Sequence, residues 1–418
     1  MGSNSIQIME SKFPVKTVPS LNFRKNFLLS GAFLPFRILQ FSGFFPLSLK
    51  NSSNTVSVSQ LAWHLCPSTI WIIFLIVASV FPTAISTLLG NNDVNNAAKV
   101  EFSNKGHNTI VLTSQVWGFC CLFCPLFSRV DLLIKRAEFV SFWNNYVQLV
   151  EKFQNLDINF ENASQKHIRN SRIVIFLHLI IHLAPSCLQI GLFVGYVLFM
   201  GGSHNRINFV DSIPNWVYSF NIIFAGFSLH GLIYFVSSYN FGIHKLLKCL
   251  ENERIKVHDV IGVYISLDKS VTKFTALFST FLNVNVIYVF VYLLYAFYFV
   301  YVAIKMDTFI LGGVTIVQTG ITVWYFYLLS NSASGLVKGS QMFCKMMKYS
   351  RFKEEIRRGQ FVKFTERFEQ KTVSLPALDP ICIENSAISL DLRLLLSMLA
   401  TITTYLVVIV QFQSVDTS

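Results

Sequence analysis

The 418-residue chain is short of charge. Asp, Glu, Lys and Arg make up 13% of it, against roughly 25% in a soluble domain. A body of this length lacks the polar surface to face water on all sides, and a highly charged disordered chain is excluded too. Proline is scarce, 11 residues against 41 phenylalanines, which rules out fibrous and low-complexity chains. The 8 cysteines lie at irregular spacing and make no disulfide framework. Met1 to Ser20 is mostly polar and has no apolar core of a secretory signal. A phosphate loop, a His-Glu-x-x-His pair and a Gly-x-Ser-x-Gly elbow are all missing, so nothing supports an enzyme or a cofactor. What the chain does have is apolar residues, 53% of the total, with a mean hydropathy of +0.50. It reads as an integral membrane protein.

A helix crosses the hydrocarbon core with about 20 mostly apolar residues. Seven runs qualify: Leu61 to Leu89, Thr109 to Phe127, Ile173 to Met200, Val217 to Ser238, Thr275 to Ile304, Phe309 to Ser334 and Leu394 to Phe412. None contains Asp, Glu, Lys or Arg, as the cost of charge in lipid requires. Phe27 to Leu49 is rich in Phe and Leu but is interrupted by Pro35, Arg37 and Pro46. It reads as an interfacial helix. The expected fold is all-α, a seven-helix membrane bundle.

The net charge of +12 sets orientation here and does not imply a nucleic-acid partner. Of the 34 Lys and Arg residues, only Lys99, Lys105, Arg206 and Lys305 fall in connections on one side. The other 30 lie before the first span, in residues 128–172, 239–274 and 335–386, and at Arg393. The positive-inside rule then puts the N-terminus in the cytosol and the C-terminus outside. A G-protein-coupled receptor has the opposite orientation, and its Asp-Arg-Tyr and Asn-Pro-x-x-Tyr motifs are missing. The sequons at Asn51 and Asn162 face the cytosol and should go unused. No internal repeat motivates a transporter.

Four regions follow. Residues 1–60 form a cytosolic segment with the interfacial helix, and 61–334 a six-helix membrane bundle. Residues 335–386 form a basic cytosolic helical region, and 387–418 the last helix with a short outer tail. Val130 to Gln154 and Ile243 to Phe274 mix apolar and charged residues, the pattern of helices that extend below the membrane and pack together. Ser350 to Gln370 is basic and amphipathic, suited to anionic lipid. His178 and His182 share a helix face, half of a metal site; with no third ligand evident, polar helix packing is the better reading and no metal is expected.

The last span carries the strongest pattern. Ser397, Thr401, Thr404, Val408 and Gln411 repeat on one stripe at helical spacing, with Arg393 a turn below. Leu395, Leu396, Leu399, Leu406 and Ile409 make the other face. Two readings stand side by side. The stripe either hydrogen-bonds another helix or lines a pore, where hydroxyl and amide groups pass cations and apolar residues gate by dewetting. One helix encloses no pore; several copies around an axis do. On the fifth and sixth spans, Tyr292, Tyr295, Tyr298, Gln318 and Trp324 are aromatic or amide groups with polar tips, suited to walls for a small amphipathic ligand. Anchoring at the headgroups is the alternative for such tyrosines, and the better one for Tyr301.

The C-terminal run Thr404-Tyr405, five apolar residues, then Gln411-Phe412 resembles the signature of insect gustatory receptors. Phe36 to Pro46 is similar to the segment these receptors carry before their first span. The resemblance covers the layout of the whole chain, although only the terminal motif is specific. It implies a ligand-gated, non-selective cation channel in the plasma membrane of sensory neurons, assembled as a homotetramer or a heterotetramer with related receptors. In such channels the last helix lines the pore, which gives Thr401, Thr404, Tyr405, Val408, Gln411 and Phe412 pore or gate positions, with Gln411 and Phe412 near the outer gate. Sugar-type members often carry an acidic residue after the motif tyrosine. Leu406 stands there, so the resemblance favours a bitter plant metabolite as tastant, with a fructose-type receptor or an odorant receptor as alternatives.

Overall fold

A computed structural model of the chain describes residues 40, 43–44, 47–52, 55–60, 69–70, 72–73, 106–156, 180, 229, 231–250, 257–305, 309–357, 379–384 and 388–416. The first and third predicted spans lie outside these residues except for a few helical positions, and so do His178, His182, Asn162 and the basic run beyond Arg357. The described elements are a hairpin of β1 (Leu47–Ser52) and β2 (Thr55–Gln60), then six helices. These are α1 (Gly106–Ile134), α2 (Arg136–Asn155), α3 (residues 231–250), α4 (Val257–Lys305), α5 (Phe309–Arg357) and α6 (Leu392–Asp416).

The helices make up the fold as expected, with one short hairpin beside them, and the interfacial helix expected over Phe27 to Leu49 does not reach its expected end: Leu47 to Leu49 belong to β1, and residues 27–39 lie outside the described residues. Gln40 is helical, but the Gly43 N–H donates to the Gln40 carbonyl at 3.1 Å and Gly43 takes φ 81°. A left-handed glycine of this kind ends a helical turn. Beyond it Leu47 and Leu49 alternate with Ser48 and Lys50, and Val56 and Val58 alternate with Ser57 and Ser59. That period of two belongs to strands. The strands pair antiparallel, Leu49 opposite Val58, and β2 rests against α2.

α4 and α5 each run unbroken for 49 residues, about 74 Å at the helical rise. That is more than twice the thickness of a hydrocarbon core. They are joined by only three residues, 306–308, so both overhang at the same end. The overhanging halves carry Lys269, Lys273, Lys338 and Lys345, while residues 275–304 and 309–334 hold no charge. The expected boundary between 334 and 335 falls inside α5 with no break. The helix expected over Ile243 to Phe274 is instead the end of α3 and the start of α4, on either side of residues 251–256. Val130 to Gln154 likewise divides at Lys135, between α1 and α2. The Lys135 ammonium bridges Asp131 at 3.0 Å and the Thr280 hydroxyl at 3.2 Å, which ties this joint to α4.

The core runs along α4 from Val260 to Ala296, and α4 packs against α1, α2, α5 and α6. Its centre is aromatic. Phe142 of α2 meets Phe235 of α3 at 5.0 Å and Phe278 of α4 at 5.8 Å, both edge-on. Phe139 meets Phe278 at 5.5 Å, Tyr146 meets Phe235 at 5.1 Å, and Tyr239 meets Phe274 at 5.8 Å. All of these rings are buried. Edge-to-face pairs add to the area they bury. The Tyr239 hydroxyl is satisfied by the Ser270 hydroxyl at 3.1 Å. Arg129, just past the second predicted span, is fully buried with its guanidinium 4.4 Å from the Phe44 ring centre. Burial pushes its pKa down to about 9, so it remains a cation at neutral pH. Phe44, brought in after the Gly43 turn, covers that cation with its ring face and meets Phe281 at 5.9 Å.

Close approach of α3 to its neighbours depends on small residues. A Cβ at Gly339 of α5 would lie 2.8 Å from Ile243 Cγ2, and one at Gly242 of α3 would lie 2.8 Å from Phe153 Cζ. The Ser237 and Ser332 hydroxyls meet at 3.0 Å between the same two helices, α3 and α5. Small residues let membrane helices pack at short range. Gly262, by contrast, has nothing within 4 Å of its would-be Cβ.

Two outcomes are expected in thermal unfolding of the detergent-solubilised chain. Gly339→Ala and Gly242→Ala lower the midpoint, whereas Gly262→Ala leaves it unchanged or raises it, because alanine favours the helix by up to ~1 kcal/mol. Phe278→Ala empties the centre of the ring cluster and costs about 3–5 kcal/mol. An unchanged midpoint for Phe278→Ala would place the stabilising core elsewhere.

Candidate functional site

α6 attaches to the bundle along one narrow line. Leu395, Met398 and Ile402 are buried, at spacings of three and four residues, and the helix packs on α4 and α5. Leu394 and Leu399 flank this line, half-buried against the core, and much of the remaining circumference faces out of the chain. Leu396 is 65% exposed and Tyr405 52% exposed. Arg393, Ser397, Ala400, Thr401, Thr403, Thr404, Val407, Val408 and Gln411 are exposed as well. Leu396, grouped by sequence with Leu395 on the apolar side of the helix, belongs to the outward face. It follows Leu395 by one helical step of about 100°, and the docking of Leu395 onto α4 and α5 turns it outward. Phe412 lies within α6; its side chain is outside the described residues.

The hydroxyls on this face are occupied within their own helix. Thr401 donates to the Ser397 carbonyl at 2.8 Å, Thr403 to Leu399 at 2.8 Å and Thr404 to Ala400 at 3.0 Å. Such back-bonds satisfy a hydroxyl without a partner helix. Within one chain the stripe thus faces outward and does not dock on a neighbour. The threonine oxygens, which donate in these bonds, keep acceptor capacity.

The base of α6 is held by a strap, described at residues 379–384 and 388–391, that sequence reasoning missed. The Ser340 hydroxyl of α5 accepts from Ile381 N–H at 3.0 Å, and the Tyr264 hydroxyl of α4 donates to the Asp379 carbonyl at 2.8 Å. Tyr264 in turn stacks on Phe343 at 4.3 Å, nearly parallel. The strap folds back on itself: Leu390 N–H donates to Ile383 at 3.0 Å, with a bridge between Glu384 and Ser389. Ile381, Ile383 and Leu390 are buried. Asp391 then caps α6, its carboxylate accepting from Leu394 N–H at 3.0 Å, the usual device for a first-turn donor. Leu392 N–H donates to the Ser334 hydroxyl of α5 at 3.1 Å. Burial, with Glu384 alongside, pushes the Cys382 thiol up, which leaves it protonated and unreactive at neutral pH. The one readable sequence signal was Asp391 directly before an apolar run.

The five ligand-wall candidates do not all converge. Tyr292 and Tyr298 of α4 are buried, and Tyr295 is half-buried with its ring 6.0 Å from Phe299. Gln318 of α5 is half-buried too. Tyr295 and Gln318 are each about three helical turns from the 306–308 connection, hence at similar depth. Trp324 is 53% exposed on the outer side of α5, paired with Tyr327 at 5.7 Å. The inner side of α5 at that level is Tyr325 and Phe326, both buried.

No family model matches the chain, and no curated protein matches it. Among solved structures, the insect olfactory receptor OR5 from Machilis hrabei is similar, with a TM-score of 0.53 at 13% identity. The match covers 92% of this chain and 98% of that one. The same receptor in complex with eugenol gives a TM-score of 0.45 at 12% identity, over 93% and 98%. At such identity the likeness is one of fold: the chain folds as an insect olfactory receptor does. Two of its described helices, at Asp259–Tyr301 and Leu392–Gln411, are long and apolar enough to cross a membrane.

Cysteine scanning of α6 checks its orientation. In the solubilised chain, cysteines at Leu396, Ala400, Thr404 and Val407 are expected to react readily with a thiol reagent. Cysteines at Met398 and Ile402 are expected to stay protected until the chain unfolds. Equal reactivity around the helix would mean that α6 is not docked by this line.

Proposed function

We propose that the chain is a subunit of an insect chemoreceptor, a ligand-gated cation channel of the plasma membrane whose pore is lined by α6 from several copies. The observation that carries this reading is the outward face of α6. A helix apolar enough to span leaves most of its surface, including a stripe of threonines and Gln411, turned away from its own chain. Lipid alone gives no reason for an amide and repeated hydroxyls at those positions. A water-filled axis shared with other copies does. The fold likeness to an insect olfactory receptor is in keeping with the reading.

Thr404, Tyr405, Val408, Gln411 and Phe412 then line or gate the pore, with Thr401 below them. The assembly is a tetramer, with the N-terminus cytosolic and the C-terminus outside. Tyr292, Tyr295, Tyr298 and Gln318 are the ligand-wall residues we favour. Trp324, on the outer side of α5, serves a ligand only if that side is covered by another copy. The Gln411-Phe412 ending favours a gustatory receptor, and Leu406 a bitter plant compound over a sugar. An odorant receptor is the second reading, favoured by the fold likeness.

Two-electrode recording from oocytes expressing the chain separates these readings, using panels of bitter plant compounds, sugars and volatile odorants. The expected result is an inward cation current evoked by a bitter compound and reduced several-fold by Gln411→Ala. A current evoked only by volatiles would move the chain to the odorant branch. Surface-expressed protein that passes no current, alone or with related receptors, would overturn the channel reading.

A further inference from the structure

The residues that hold the base of α6 are better defined than anything on its outward face. Ser334 lies in the middle of α5, where the uncharged stretch gives way to the basic one. Its hydroxyl takes the first amide of α6, Leu392 N–H, at 3.1 Å. One residue earlier, Asp391 takes the amide of Leu394 at 3.0 Å. The first amides of a helix have no partner within the helix, so here two of them are assigned, one to a neighbouring helix and one to a cap. Below this point Ser340 and Tyr264 hold the strap at Ile381 and Asp379. Three buried apolar side chains press it inward. Above it, α6 packs on the bundle through the buried Leu395, Met398 and Ile402, flanked by the half-buried Leu394 and Leu399, and the residues from Thr403 to Tyr405 are exposed. The base is clamped and the upper half is lightly held.

We infer that Ser334 and Asp391 are positioning residues that fix the rotation of α6 about its axis, and so decide which side chains meet the shared axis. This rests on the channel reading of α6. Ser334 ties that rotation to α5, whose far half carries Gln318, so the hydroxyl gives movement of α5 a directional hold on α6 beside their apolar contact. Loss of the tie frees the first turn. The outward face is then no longer held in its resting register, and ions leak without ligand.

Two measurements on the full-length chain test this. In amide hydrogen exchange, a peptide covering Leu392 and Leu394 is expected to be protected in the parent. In Ser334→Ala it should exchange about tenfold faster, the loss of one hydrogen bond of ordinary strength. Ser334→Thr and Asp391→Asn, which keep an acceptor, should stay near the parent. In oocytes, ligand-free cation current per surface-expressed chain is expected to rise several-fold in Ser334→Ala and to return to the parent level in Ser334→Thr. A purely structural role would lower surface expression and leave the current per chain unchanged. Unchanged exchange in Ser334→Ala overturns the clamp. Faster exchange with an unchanged ligand-free current, in a chain that conducts when stimulated, overturns the positioning role. Faster exchange in a chain that never conducts supports the clamp and sinks the channel reading instead.

Discussion

The rings of Phe274 and Phe278 sit where α2, α3 and α4 meet, and the rest of the described structure is assembled outward from them. Phe142 and Phe139 approach from α2, Phe235 and Tyr239 from α3. This cluster straddles one end of the uncharged stretches: Phe235 and Phe278 lie just inside them, and Phe139, Phe142, Tyr239 and Phe274 lie outside. Between helices inside a bilayer the hydrophobic drive is largely lost. The molecule thus joins α2, α3 and α4 through these rings, and α4 and α5, each longer than a hydrocarbon core is thick, run on from that junction. Phe44, Arg129 and Lys135 attach the N-terminal turn and the α1–α2 joint to the same helix.

A well-packed base permits a lightly held last helix. Among the described helices α6 is the one most open to its surroundings: a single buried line at Leu395, Met398 and Ile402 joins it to α4 and α5. Its threonine hydroxyls return to their own backbone, so the chain alone offers them no other fixed partner. That arrangement makes sense for a surface completed by other copies. The strap supplies the missing constraint at one end. Hydroxyls from α4 and α5 (Tyr264, Ser340 and Ser334) hold backbone groups of the strap and of the first turn of α6. These contacts are directional, unlike the apolar line above them. A directional clamp below and an apolar contact above let a helix turn about its axis without detaching.

The sequence by itself pointed to a helical membrane protein. Burying charge in lipid is so costly that long uncharged runs and one-sided Lys and Arg are legible without coordinates. The C-terminal boundary of the fold was legible as well, since Leu394 to Phe412 lies within α6. The hairpin at 47–60 was missed because its strands are short and flanked by an apolar, helix-like run. The strap was missed because a path held by hydroxyl-to-backbone bonds leaves no periodic trace. Only the tertiary structure decided which face of α6 docks. A helix with leucines and valines all around has no unique apolar side, and Leu395 and Leu396 are equivalent until α4 and α5 choose between them. It also decided that Trp324 looks outward while Tyr292 and Tyr298 look inward. The reason is geometric: composition sets what a helix dissolves in, and contact with neighbouring helices sets its rotation.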